Sequence, residues 1–371
     1  MSTQDVVIIG AGAAGLTAAL ELAGAGLRVA VVERGAAARE SSWAGGGIVA
    51  PLYPWRYPRA VQALALEGHR LWPQWTARLE AQTGVAIEYT ASGMWIGALG
   101  DVEPARAWAG EHGLDCRPLD VDAVARETGV HLTGPALAFP DFAQLRTPRL
   151  GRALALAAVA AGVELITDRA ATAIETVAGR VAGVRLADGT ALGAPNVVVA
   201  AGAWSAGLLA PLGLDLPVAP VRGQMLLYSG AAGRLAPMVL SEGRYLIPRR
   251  DGRVLCGSTM EDVGFEKATT DEAAQSLRAA AVGMAPWLAD CPIEAHWAGL
   301  RPGSPDGVPF IGAVAEVPGL YLNCGHHRNG IVLAPGSARL LRALLSAGEP
   351  EIDPLPYRPV LAGGEVVQSR S

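Results

Sequence analysis

A chain of 371 residues with 51% hydrophobic and 18% charged residues is too long for one ordinary core; it reads as a soluble two-lobed globular enzyme, not a disordered chain. Its net charge of −5 argues against nucleic acid or an anionic membrane as the main partner. Of 30 basic residues only Lys267 is a lysine, set in the polar stretch FEKATTDE, which argues against Schiff-base chemistry of the PLP type.

The opening residues MSTQDVVIIG run straight into an apolar strand with no signal-peptide pattern. No uninterrupted apolar run is long enough for a membrane span. Residues 6–34 then read strand, glycine turn, helix, strand and acid in that order. Val6–Ile9 is the first strand, a helix runs from about Ala14 to Ala25, and a second strand Arg28–Val32 ends at Glu33. Gly10, Gly12 and Gly15 have GxGxxG spacing. In that spacing Gly10 permits the tight turn, Gly12 lets backbone approach a pyrophosphate, and Gly15 allows close helix–strand packing. The free N–H groups and positive end of the helix suit phosphates, and Glu33 suits ribose hydroxyls rather than a 2′-phosphate. A dinucleotide site follows, and its place at the N-terminus leans toward FAD.

Residues 41–58, SSWAGGGIVAPLYPWRYP, carry three successive glycines and three prolines and are expected to be irregular, with Gly45–Gly47 close to a flat ligand. Trp43, Tyr53, Trp55 and Tyr57 either line a pocket or pack this loop. Residues 59–84 have helical spacing of Leu64, Leu71, Trp72, Trp75 and Leu79, and 85–99 alternate like strands. A helix over 148–163 precedes strands at 164–167, 173–177 and 181–185, with a hairpin-type turn at Asp188-Gly189. NVVVAAGAWS (196–205) is a buried strand that breaks at Gly202. From Pro217 to Trp297 the pattern is β-rich with one helix near 272–285, and Ile293–Gly299 is expected to return toward the first lobe. Leu320–Gly325 reads as a strand and Asn329–Leu345 as a helix.

The expected fold is α/β: a discontinuous Rossmann-type lobe of residues 1–84, 141–215 and 297–371, with an antiparallel β-rich substrate lobe of 85–140 and 216–296. Cys116, Cys256, Cys291 and Cys324 form no CxxC pair and read as reduced thiols, which fits a cytoplasmic setting. His296, His326 and His327 have no metal-ligand spacing, so no metal is expected.

Seven segments together carry a more specific signal: 6–34, SSWAGGGIVAP, NVVVAAGAWS, PVRGQMLLY, GRYLIPRRDGRVLCGST, HWAGLRPGSPDGVPFIG and GHHRNGIVLAPGSARLL. In this order the chain resembles the D-amino acid oxidase-like FAD superfamily, most closely the bacterial glycine oxidases of the thiamine pathway. Sarcosine oxidases and D-amino acid dehydrogenases share the architecture but fit these segments less closely.

The resemblance implies non-covalently bound FAD, since HWAGLRPG lacks the cysteine through which some sarcosine oxidases attach it. It implies hydride transfer from a small amino acid to the flavin, with O2 as re-oxidant. Arg301 matches the carboxylate-binding arginine, a role suited to its forked guanidinium. Tyr245 matches the tyrosine that helps hold the carboxylate, and Arg328 an arginine at the mouth of the site, where it could instead cap the next helix or contact flavin. The cofactor positions are Gly10, Gly12, Ala13, Ala14, Gly15, Glu33 and Arg34; Ser41, Ser42, Gly46 and Gly47; Ala201, Gly202 and Trp204; and Arg328, Asn329, Gly330 and Ile331, where a helix N-terminus aims at the flavin.

Two pocket positions depart from the glycine oxidases: Gly243 replaces a histidine and Ile48 a methionine. These widen the substrate reading to sarcosine, a D-amino acid or a cyclic imino acid. A dehydrogenase that passes electrons to a quinone or partner protein is a competing reading. So is a non-catalytic FAD-binding subunit, which the presence of both Arg301 and Tyr245 counts against. The resemblance also suggests a homo-oligomer.

Overall fold

In the computed structural model, residues 4–359 are described; the ends of the expected first lobe, 1–3 and 360–371, lie outside the described residues. β1 (Val6–Ile9) is buried at every residue, as an all-apolar β-branched run in a parallel sheet should be. Gly10, at φ +109°, turns the chain into α1 (Ala13–Gly24), which returns it to β2 (Val29–Val32), parallel to β1 with Val6 opposite Val29.

The glycine–proline segment is less irregular than its composition implies. It holds one helical turn, α2 (Ser41–Ala44), a two-residue strand, β3 (Ile48–Val49), and a 3-10 turn at Pro54–Arg56. α3 (Arg59–Thr83) buries Leu64, Leu71, Trp72, Trp75 and Leu79, and ends at Gly84 in the left-handed region. Between 85 and 99 only β4 (Met94–Ile96) is a strand, because Glu88 (φ +60°) and Gly93 (φ +71°) interrupt extended backbone.

There follow α4 (Val102–Glu111), β5 (Arg117–Pro118), α5 (Val121–Thr128), β6 (Leu137–Phe139) and β7 (Ala143–Gln144). Next come α6 (Thr147–Ala160), β8 (Glu164–Ile166), β9 (Ala171–Val177), β10 (Arg180–Leu186), β11 (Ala191–Gly193), β12 (Asn196–Val199) and α7 (Ser205–Leu209). The last stretch is β13 (Ala219–Tyr228), β14 (Met238–Ser241), β15 (Arg244–Pro248), β16 (Val254–Gly257), α8 (Asp271–Met284), β17 (Ile293–Gly303), β18 (Phe310–Ala313), β19 (Leu320–Cys324) and α9 (Gly330–Leu345).

Two large sheets organise these elements. One has six strands in the order β18-β19-β12-β1-β2-β8, parallel except at β18. The other has eight, β17-β13-β16-β15-β14-β4-β6-β5, antiparallel except where β14 meets β4. The first sheet packs α1, α3, α6 and α9 around one apolar core; α8 covers the second sheet through Leu277, Ala281 and Met284. Contrary to expectation, Ile293–Gly299 does not return to the first sheet. β17 pairs with β13 all the way from Tyr228 opposite Ile293 to Ala219 opposite Gly303, so position 297 falls inside a strand and the chain leaves this sheet after Gly303.

Candidate active site

A single cavity of about 460 Å³ runs from the β1–α1 turn to β17. That volume lies within the roughly 300–1,000 Å³ of small-molecule sites. Its two ends have different chemistry.

At the first end the backbone is bare. A Cβ on Gly10 would stand 2.4 Å from the Ala200 carbonyl oxygen, and one on Gly15 only 1.9 Å from the Gly10 oxygen, so strand and helix touch through backbone. α1 has no side-chain cap at Gly12; Ser42 Oγ accepts from the Ala13 N–H at 2.9 Å, leaving the neighbouring first-turn N–H groups free. Glu33 anchors the turn by accepting from the Ala11 N–H (2.9 Å) and the Gly35 N–H (3.2 Å), and still lines the cavity. Arg34 lies 3.5 Å over the Trp204 ring and pairs with Glu40. Across the cavity, α9 starts at Asn329 without a side-chain cap, so the first N–H groups of a 16-residue helix are also open. Asn323 Oδ1, His327 Nε2 and Asn329 Nδ2, all on cavity-lining residues, are buried without a protein partner.

At the other end stands Arg301. Strand alternation places it opposite Val221, and its guanidinium covers Gly223, where a Cβ would be 2.2 Å from Nη1. Nη1 donates to the Thr259 oxygen (3.1 Å) and Nη2 to Ser258 Oγ (2.6 Å). Among the described residues the hydrogen-bond partners of the Arg301 guanidinium are all neutral oxygens, with no carboxylate. Burial lowers this guanidinium from its ordinary value, and Arg328 adds to the effect. Tyr245 on β15 is buried beside it, its hydroxyl 3.9 Å from Met225 Sδ. His327 is held down to about 4, by burial first and then by Arg301 and Arg328, and so is neutral at pH 7. His326 Nε2 meets Ser337 Oγ at 3.2 Å, its one side-chain hydrogen bond among the described residues, and burial likewise holds it at about 4. The Cys324 thiol is pushed up to about 12, so it stays protonated and unreactive.

The residues singled out from sequence nearly all meet here. Arg301, Tyr245, Arg328 and Ile48 line one part of the cavity. Gly10, Gly12, Ala13, Ala14, Glu33, Arg34, Ser41, Ser42, Gly46, Gly47, Ala201, Gly202, Trp204, Asn329, Gly330 and Ile331 line the rest. Gly15 does not; it serves the packing of α1 on the Gly10 turn. Gly243, expected in the pocket, sits instead in the tight turn between β14 and β15 at φ +76° after Glu242 at +48°, and does not line the cavity. The four aromatic residues resolve to loop packing: Trp43 lies edge-on to Trp297, Trp55 stacks on Phe139, the Tyr53 hydroxyl accepts from the Gly243 N–H, and Tyr57 lies near Gly307. Gly223, Met225 and Ser258 were not singled out, and His327 was weighed only as a metal ligand. A glycine in the middle of the apolar strand PVRGQMLLY was the available signal, since it marks close approach of another group.

Residues 5–344 match the family described as FAD dependent oxidoreductase. The chain is 49% identical over 360 residues to a glycine oxidase of Pseudomonas aeruginosa, covering 96% of this chain and 99% of that one. It is 48% identical over 363 residues to a glycine oxidase of Pseudomonas putida, covering 96% and 98%. The crystal structure of glycine oxidase from Geobacillus kaustophilus superposes with a TM-score of 0.91 at 27% identity, covering 97% of this chain and 99% of that one.

Proposed function

Because the chain belongs to the FAD-dependent oxidoreductase family, we propose that it oxidises the C–N bond of a small amino acid or secondary amine, with O2 as the final electron acceptor. The observation that carries this reading is Arg301: a desolvated cation without a counter-charge among the described residues, in the same cavity as the glycine turn. An uncompensated buried charge costs several kcal/mol, roughly, and is tolerated where a ligand supplies the partner. A substrate carboxylate is that partner, held by the guanidinium fork and by Tyr245.

The cavity suits FAD. Bare glycine backbone and the open N-terminus of α1 receive the pyrophosphate, the Glu33 carboxylate keeps acceptor capacity for a ribose, and Arg34 with Trp204 flanks the same end. The N-terminus of α9 and the unpartnered atoms of Asn323, His327 and Asn329 would offer a bound isoalloxazine polar partners. Bound there, FAD supplies the two-electron acceptor for a hydride from the substrate Cα, and its electrons pass on to O2.

The residues then divide the work. Arg301 and Tyr245 fix the carboxylate and thereby the orientation of Cα. Arg301 and Arg328 together disfavour an ammonium in the pocket, so the substrate is held as its neutral amine, whose lone pair assists departure of the hydride. His327, being neutral, does not compete for the carboxylate. The positive end of α9 stabilises negative charge as it develops at its N-terminus. The overall stoichiometry is amino acid, O2 and water to 2-oxo acid, ammonia (or amine) and hydrogen peroxide.

The test is a panel of glycine, sarcosine, D-alanine, D-proline and L-proline added to the purified protein under argon. A substrate bleaches the flavin absorbance, and peroxide appears in stoichiometric amount when air is admitted. If none of these compounds bleaches the flavin, the proposal is wrong; bleaching without peroxide means that another acceptor takes the electrons.

A further inference from the structure

A second arginine beside the cavity lacks a carboxylate. Arg249 follows β15, four residues after Tyr245 on the same segment. Its Nη2 donates to the Gly46 oxygen at 2.7 Å, and Nη1 to Gln144 Oε1 at 2.9 Å and the Leu145 oxygen at 3.1 Å. All three acceptors are neutral. Glu88 and Asp251, the carboxylates whose charge reaches it, are held instead by Arg146, Arg149 and Arg253. Burial lowers Arg249 to about 10, so it remains a cation at neutral pH.

The charge therefore bears on neutral oxygens, and one of them, that of Gly46, belongs to the cavity wall. Gly46 and Gly47 both line the cavity, next to the Tyr245 ring, which a Cβ on Gly46 would meet at 3.3 Å. Neither the Gly46 nor the Gly47 N–H has a protein acceptor among the described residues. A cation on a carbonyl oxygen polarises the whole amide and strengthens its N–H as a donor, the more so at low local dielectric. Gly47 itself is pinned: its oxygen accepts from the Leu145 N–H at 2.8 Å, and a Cβ would lie 2.1 Å from the Leu145 oxygen.

We propose that Arg249 is a positioning residue that fixes and polarises the Gly46–Gly47 peptide, making the Gly47 N–H a strong donor to electron-rich atoms of the ring system held in the cavity. This rests on the reading that the cavity holds FAD. It assigns the arginine an electronic role, distinct from Arg301, which meets the substrate.

Sulfite affinity, read from flavin absorbance in the FAD-loaded protein without any substrate, reports how well the site stabilises negative charge on the ring. Arg249→Met should raise the sulfite Kd about tenfold while FAD content is retained, the expected loss for one charge-assisted hydrogen bond. Arg249→Lys, which keeps the charge, should restore affinity to within about threefold. Gln144→Glu leaves Arg249 in place but gives it a carboxylate, and should weaken sulfite several-fold; it decides the matter if the methionine variant does not fold. A methionine variant that loads FAD and binds sulfite within about twofold of the unmodified protein overturns the proposal, as does a lysine variant that fails as badly as methionine, or an unchanged Gln144→Glu. A merely structural arginine would lower thermal stability and leave sulfite affinity in the folded protein unmoved. An unmodified protein that purifies without FAD and cannot be loaded would defeat the cofactor reading instead, a result visible before any variant is made.

Discussion

Arg222 and Arg301 occupy neighbouring levels of the β13–β17 ladder and leave it on opposite faces, Arg222 paired in register with Leu300 and Arg301 with Val221. Arg222 is fully provided for. It forms an ion pair with Glu261, donates to the Ala268 oxygen at 3.0 Å, and shares Glu261 with Gln224 and Thr259 on the side covered by α8. Arg301 meets a hydroxyl and carbonyl groups, and then the cavity. Two identical side chains on adjacent rungs of the ladder thus meet opposite surroundings. The paired one holds the sheet to its neighbours, and the unpaired one, in the proposed reading, receives the substrate carboxylate. The lesson is that partner status, not burial alone, separates a structural arginine from a binding one.

Exchanging their fates is the strongest way to test that contrast. Arg301→Ala removes a contact worth about 1.5–3 kcal/mol, so the KM for the amino acid should rise by roughly ten- to a hundredfold. The same variant should be as stable as the parent or more so in thermal unfolding, since a desolvated charge has gone. An unchanged KM would end the carboxylate-clamp assignment. Glu261→Ala should behave in reverse, costing about 2 kcal/mol in urea unfolding because Arg222 loses its partner, with KM moved by no more than about threefold. A Glu261 variant that is fully stable would show that the pairing does not hold the α8 side of the sheet.

A pH effect extends the contrast to a titratable group that is buried without a charge partner among the described residues. His326 titrates at about 4 in the folded protein against 6.5 ordinarily. Between those values the unfolded chain takes up a proton that the folded chain refuses. Stability is therefore complete above about pH 6.5 and falls as the pH drops toward 4, by up to about 3 kcal/mol for this one residue. His326→Asn should flatten that part of the stability–pH curve, leaving the contribution of His327; an unchanged slope would refute it. Smallest of all, Tyr245→Phe deletes a hydroxyl and keeps the packed ring. About 1 kcal/mol, a few-fold in KM, is expected with no loss of FAD. A kcat that falls while KM stays constant would remove Tyr245 from carboxylate binding.

The β1–α1–β2 unit was legible residue by residue, because a turn at φ +109° and a helix start without a side-chain cap are demands that neighbouring residues meet among themselves. The core stripe of α3 was legible for the same reason. What went astray depended on distant partners. Ile293–Gly299 has the composition of a strand for either sheet, and only its pairing with β13 decides which. Gly243 is expected in the pocket by resemblance to the glycine oxidases, yet the turn between β14 and β15 carries it away.

The nucleotide turn and the order of elements are thus legible in the sequence alone, carried by spacing within short segments, whereas Arg301 and Tyr245 were reached through the family resemblance of their segments. Which arginines keep a free charge is not legible there. Arg222, Arg249 and Arg301 look alike in sequence, and their partners Glu261, Gly46 and Ser258 lie 39, 203 and 43 residues away. Sheet register and loop closure bring those groups together, and charge compensation is a sum over neighbours in space; so only the tertiary structure decides which of these arginines meets a carboxylate and which are left to neutral oxygens.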